Sequence, residues 1–226
     1  MLENMRTGSK IMMTQVSPNF SHEKLKNAST EDFIDILEDR VVYWLLIPAK
    51  TLLEKPHGHI PAVSLLLSYF EAHAIYLKGQ DSQNQSKSFF REGFVDVFAS
   101  PKYTQTFLER VADFLYAQAR CGFSHDGIFR DKIMFRDDLP GEFLVTVPQR
   151  NGKPDMGGSI ESVIINPRGF LNALGLHFAD YLTRLRDTAQ TDARANFRRA
   201  VDIKWSASTP GPIIGMDEEV FAKFRR

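Results

Sequence analysis

The stretch "AVSLLLSYFEAHAIYLKG", residues 62 to 79, limits the fold more than any other part of this chain. The preceding "KPHGHIP" supplies Pro61 to a first helical turn, and Gly79 is suited to the left-handed residue that closes a helix. Between them the run is nearly all apolar, with Glu71 and His73 as its main polar interruptions. A helix that is apolar on most sides has to be surrounded by other elements. The chain is therefore expected to be mainly α and built around this segment.

Its partners can be read on either side. "NASTEDF" at 27 to 33 has the form of a helix start, with Ser29 or Thr30 as N-cap and acids in the first turn. Phe33, Ile36, Leu37, Val41, Tyr43, Trp44 and Leu45 follow at helical spacing, until Pro48 kinks or ends the helix. "FFREGFVDVF" gives a short third helix. "SPKYTQTFLERVADFLYAQAR" gives a fourth, expected to stop at Gly122. The texture then changes. "DKIMF", "EFLVTV" and "SVIIN" are short and rich in β-branched and aromatic residues, and "RDDLPG" and "QRNGKPDMGG" separate them as turns. A small β-hairpin or three-stranded meander is expected there, at about 128–166. Pro167 opens a further helix, and "TDARANFRRAVDIKW" makes the last. Residues 1–27 read as a loose arm, 28–205 as one helical domain with the β insertion, and 206–226 as a C-terminal extension.

Composition narrows the function classes. With 28 basic and 28 acidic residues the formal net charge is zero, so no overall field draws the chain to nucleic acid, and RNA would need a local basic patch. A single cysteine excludes an intrachain disulfide and any multi-cysteine zinc site. The N-terminus lacks a run of signal-peptide length, and "VVYWLLIPA" at 41 to 49 is far too short to cross a bilayer. The expected setting is the cytoplasm, without a membrane partner. Eighteen phenylalanines predict an aromatic-rich core. No phosphate-binding glycine loop, nucleophile elbow or dinucleotide fingerprint is present.

One segment concentrates chemistry. In "YAQARCGFSHDGIFRDK", residues 116 to 132, Arg120 precedes His125 by five positions, around Cys121 and Gly122. On a continuous α-helix, residues five apart diverge by about 140°. A break at Gly122 would let His125 swing back beside the guanidinium. Such a pair suits RNA cleavage by 2′-OH attack, where an imidazole moves the proton and a guanidinium binds phosphate oxygens without a metal. The residues alone favour a decorated helix stop over such a pair, since Arg and His suit a helix C-terminus, "HDG" is an ordinary turn and the spacing recurs by accident.

R-x4-H at the end of the last helix of an antiparallel four-helix arrangement resembles the signature of HEPN domains. "RCGFSHDG" is similar to the R-x-G-h-x-H-x-G form of stand-alone bacterial members. The resemblance extends over about residues 30 to 130 in helix order, and to the motif alone in residues. It implies a HEPN-like antiparallel bundle and a metal-independent endoribonuclease, of the kind that serves as a toxin or antiviral defence effector. It also implies RNA or nucleotide as ligand, a homodimer in which two motifs face one cleft, and an antitoxin partner. Arg120 and His125 take the motif's two fixed positions. Glu71 resembles the acidic residue that some members place near the pair. Cys121 departs from the polar residue, often Asn, that commonly follows the arginine in active members. Other members hold nucleotides or dimerise without cleaving, which is the alternative implied. Neither a cofactor nor a metal is expected.

Further polar residues have plainer readings. His57 and His59 fit a solvated loop, and His73 and His177 satisfied core or edge histidines. Cys121 reads as a structural thiol. Arg184, Arg186, Arg194, Arg198 and Arg199 could form a basic patch, but Asp180, Asp187, Asp192 and Asp202 interleave with them and favour a salt-bridged face.

Overall fold

The computed structural model describes residues 15–25, 27–155 and 157–205. The C-terminal extension and residues 1–14 of the N-terminal arm lie outside the described residues. Residues 15–25 of the arm carry short regular elements. β1 (Gln15–Ser17) and β2 (Phe20–Ser21) form a small antiparallel pair, followed by a 3-10 turn at His22–Leu25. Arg40 Nε donates to the Val16 carbonyl at 2.8 Å, and the Asn19 side-chain amide donates to Asp39 at 2.6 Å. These bonds tie the segment to the first helix.

The molecule is mainly α, as the periodicity requires. α1 (Thr30–Val41) begins with a capping box in which Ser29 and Asp32 satisfy each other's backbone N–H groups. It runs through a wider π-turn at Val42–Leu46 into α2 (Ile47–Leu53). Pro48 therefore neither ends nor breaks the helix, because the π-turn just before it takes up the misfit between its ring and the preceding turn. α3 (His59–Lys78) is the apolar helix that dominates the sequence, closed by Gly79 in the left-handed region. α4 (Ser86–Phe98) and α5 (Gln105–Leu115) follow, then α6 (Pro167–Arg186), capped by Asn166, and α7 (Thr191–Trp205).

α3 packs against α2, α4, α6 and α7. By length and composition it could cross a membrane, yet half of its most apolar stretch is buried inside the fold. Its Phe70 is fully buried and meets Phe90, Phe94 and Phe170 edge-on at ring distances of 5.1–5.8 Å. The aromatic core expected from composition is thus centred on α3. α4 lies so close to α3 that a Cβ on Gly93 would stand 1.9 Å from the Phe70 carbonyl oxygen. That approach holds Asp96 of α4 beside the polar residues of α3.

The β insertion has a different order from a meander. β3 (Ile133–Phe135) and β4 (Phe143–Thr146) flank β7 (Ser162–Ile165), which pairs parallel with β3 and antiparallel with β4. Val163 and Ile165 of the middle strand are fully buried. Between β4 and β7, β5 (Gln149–Arg150) and β6 (Lys153–Pro154) form a tight hairpin whose Asn151 and Gly152 both have positive φ.

Candidate functional site

The R-x4-H motif lies on a continuous helix. After Leu115 the winding widens into a π-turn over Tyr116–Arg120, and the Cys121 N–H reaches five residues back to the Tyr116 carbonyl. A second π-turn covers Gly122–Asp126, and Gly127, with φ of 73°, ends it. Gly122 is therefore not the helix stop that the sequence suggests. Its missing side chain serves a close approach instead: a Cβ there would stand 2.8 Å from the Ile128 carbonyl oxygen. The chain doubles back past it, and the Arg130 N–H donates to the Gln118 carbonyl at 3.1 Å.

The π winding changes the geometry of the spacing. An i→i+5 hydrogen-bond ladder stacks residues five apart about one turn above each other, so the 140° divergence of an α-helix does not apply. Arg120 and His125 occupy successive turns of one helical segment without any break between them. His125 is exposed. Among the described residues no hydrogen bond or ion pair joins it to Arg120 or Glu71.

Glu71 and Arg120 do meet. Across 49 residues of sequence, Arg120 Nη2 lies 3.3 Å from Glu71 Oε2. The other oxygen of Glu71 accepts from the Ser82 hydroxyl at 2.8 Å, which orients the carboxylate. The Tyr116 ring lies 5.6 Å from the guanidinium carbon. Burial pushes the Tyr116 phenol up, so it stays a neutral ring beside the cation. Glu71 and Arg120 line an open cavity of about 340 Å³ together with Ser68, Ser82, Phe123 and Lys204. Two cations border this hollow, Arg120 held by Glu71 and Lys204 paired with Asp81, and an anionic group there could draw on both.

A second polar cluster uses residues whose connection the sequence does not announce. Asp96 Oδ2 accepts from His73 Nε2 at 2.7 Å and from His177 Nε2 at 3.0 Å. Tyr69 donates its hydroxyl to His177 Nδ1 at 3.0 Å. The two histidines are satisfied and largely buried, as their helices suggest. Asp96 is the residue that sequence reasoning missed, lying 23 positions from one partner and 81 from the other. The bonds from His177 and His73 hold its carboxyl far below the usual carboxylate range, while burial pushes the His73 imidazole down. Burial also raises the Tyr69 and Tyr181 phenols.

The remaining candidates fall into place locally. His59 opens α3, stacks on Phe135 and lies 3.3 Å from Asp137, so it is not a free loop residue, whereas His57 is exposed. The C-terminal arginines form a salt-bridged face. Arg186 meets Asp35 and Glu38, Arg194 meets Glu31, Arg184 meets Asp180, and Arg198 meets Asp202. Cys121 is a half-buried free thiol. Compared with known proteins, the chain matches no family model, no curated protein and no solved structure.

Proposed function

We propose that this chain is a metal-independent endoribonuclease of the HEPN type, acting at the cavity lined by Glu71 and Arg120. The observation that carries the reading is the ion pair itself. An acid on the central helix and the motif arginine, remote in sequence, share the wall of one open hollow with Lys204 and Ser82. A half-exposed arginine held by a carboxylate can exchange part of that contact for a phosphate oxygen.

The residues divide the chemistry as follows. Arg120 binds the scissile phosphate and neutralises the charge that grows on its oxygens as the 2′-O–P bond forms and the P–O5′ bond breaks. His125, exposed one π-turn beyond, moves protons. One proton leaves the 2′-OH and one arrives at the departing O5′. With a single histidine per chain in the motif, two copies facing each other supply an acceptor and a donor. Phe123 and Ile128 flank His125 with 39% and 60% of their surface exposed, which supports a homodimer around the motif. The toxin or defence role, with an antitoxin restraining it, follows from the same resemblance.

Arg120→Ala and His125→Ala should each lower RNA cleavage in EDTA by about 10²-fold or more, with the fold intact by circular dichroism. Undiminished cleavage in both variants would sink the proposal. The exposed Phe123 and Ile128 also favour a second reading, a non-catalytic dimerisation or nucleotide-holding module. That reading predicts a stable dimer, weakened by His125→Ala, that cleaves no RNA.

A further inference from the structure

The cluster on the other side of α3 has the composition of a metal centre. Glu71 and His73 are two residues apart, which turns them about 200° from each other on an α-helix. Three helices each send one donor to the same point: His73 from α3, Asp96 from α4 and His177 from α6. Their ligand atoms all lie within 4.8 Å of one another. We infer that His73, Asp96 and His177 form a binding site for a divalent transition metal of the zinc and cobalt class, independent of the Arg120 cavity.

Three features beyond the donor set support this. Two imidazole nitrogens and one carboxylate oxygen suit borderline divalent ions and leave a coordination position for water. The outer contacts are those a metal-binding histidine needs. His177 is held through Nδ1 by the Tyr69 hydroxyl at 3.0 Å, which fixes the ring with Nε2 directed at the shared point. Finally, Tyr181 is 98% buried with a hydroxyl that has no hydrogen-bond partner among the described residues, and its ring stands 4.9 Å from that of His73. A water bound to the ion would offer that orphaned hydroxyl a partner.

Occupation requires the nitrogens to draw back from Asp96 and the ring protons to move. Bonds of about 2.0–2.2 Å at tetrahedral angles set ligand atoms roughly 3.3 Å apart, against 2.7 Å and 3.0 Å here. Without an ion, each Nε2–H donates to Asp96 and the Tyr69 hydroxyl donates to His177 Nδ1. With an ion, each imidazole presents its Nε2 lone pair and carries its proton on Nδ1, where His177 donates to Tyr69. Both rings stay neutral, and Asp96 supplies the negative charge. The Asp96 side chain is 34% exposed, so the cluster has a route to solvent although His73 is 2% exposed.

The test uses the full chain, stripped with EDTA, dialysed and titrated with Co²⁺ under visible absorption, then with Zn²⁺. The expected result is one saturable Co²⁺ per chain, with d–d bands that Zn²⁺ abolishes. His177→Gln and Asp96→Asn, both of which keep side-chain volume and hydrogen-bonding capacity, should lose the saturable bands. His57→Asn should keep them. Tyr69→Phe should weaken Co²⁺ binding about 10- to 100-fold without changing the band shape. A wild-type chain with no saturable Co²⁺, or bands fully retained in both His177→Gln and Asp96→Asn, would overturn the inference. The readout is metal binding, so it stands or falls apart from RNA cleavage.

Discussion

α3 carries two polar groups two residues apart, and they lead opposite lives. Glu71 faces an open cavity, where its partner Arg120 has 35% of its side chain exposed. His73 faces the interior and finds a carboxylate that a second imidazole also holds. The first arrangement leaves a cation able to change partners. The second keeps His73 out of water and leaves Asp96 as its most exposed member. A single ion pair at the edge of an open cavity contributes modestly to stability and can exchange its contact for a ligand, whereas a carboxylate shared by two imidazoles, one of them fully buried, is costlier to break.

That contrast can be broken by substitution. Asp96→Ala strands His73 and His177 without an acceptor and should cost about 3 kcal/mol, at roughly 1–3 kcal/mol for each orphaned group. In a domain of this size, thermal unfolding should move down by about 6–12 °C. Glu71→Gln removes one partly exposed ion pair, keeps an oxygen to accept from the Ser82 hydroxyl and should cost about 1 kcal/mol, while lowering RNA cleavage by loosening Arg120. If the two variants melted together, the distinction between the two faces of α3 would fail.

What the sequence could announce depended on how local the cause was. Ser29 with Asp32, Gly79, and Asn151 with Gly152 act within a few residues, and each ends or turns the chain where its chemistry suggests. Gly122 misled because its role is set by Ile128 packing back against it, a contact that helix-capping rules do not contain. Pro48 misled for a related reason, since the π-turn before it absorbs the expected kink. The strands were readable as strands, but the order β3–β7–β4 comes from long-range pairing. Glu71 and Arg120 could be named together only through the HEPN resemblance. Asp96 carried no signal, because nothing in "FVDVF" points to histidines on two other helices.

The central claim concerns the cavity on the Glu71 side. The most direct measurement incubates the purified chain with a defined RNA in EDTA and identifies the new fragment ends. Attack by the 2′-OH predicts 5′-hydroxyl ends paired with 2′,3′-cyclic phosphates, or the 3′-phosphates derived from them. Intact RNA, or fragments bearing 5′-phosphates and 3′-hydroxyls, would contradict the account.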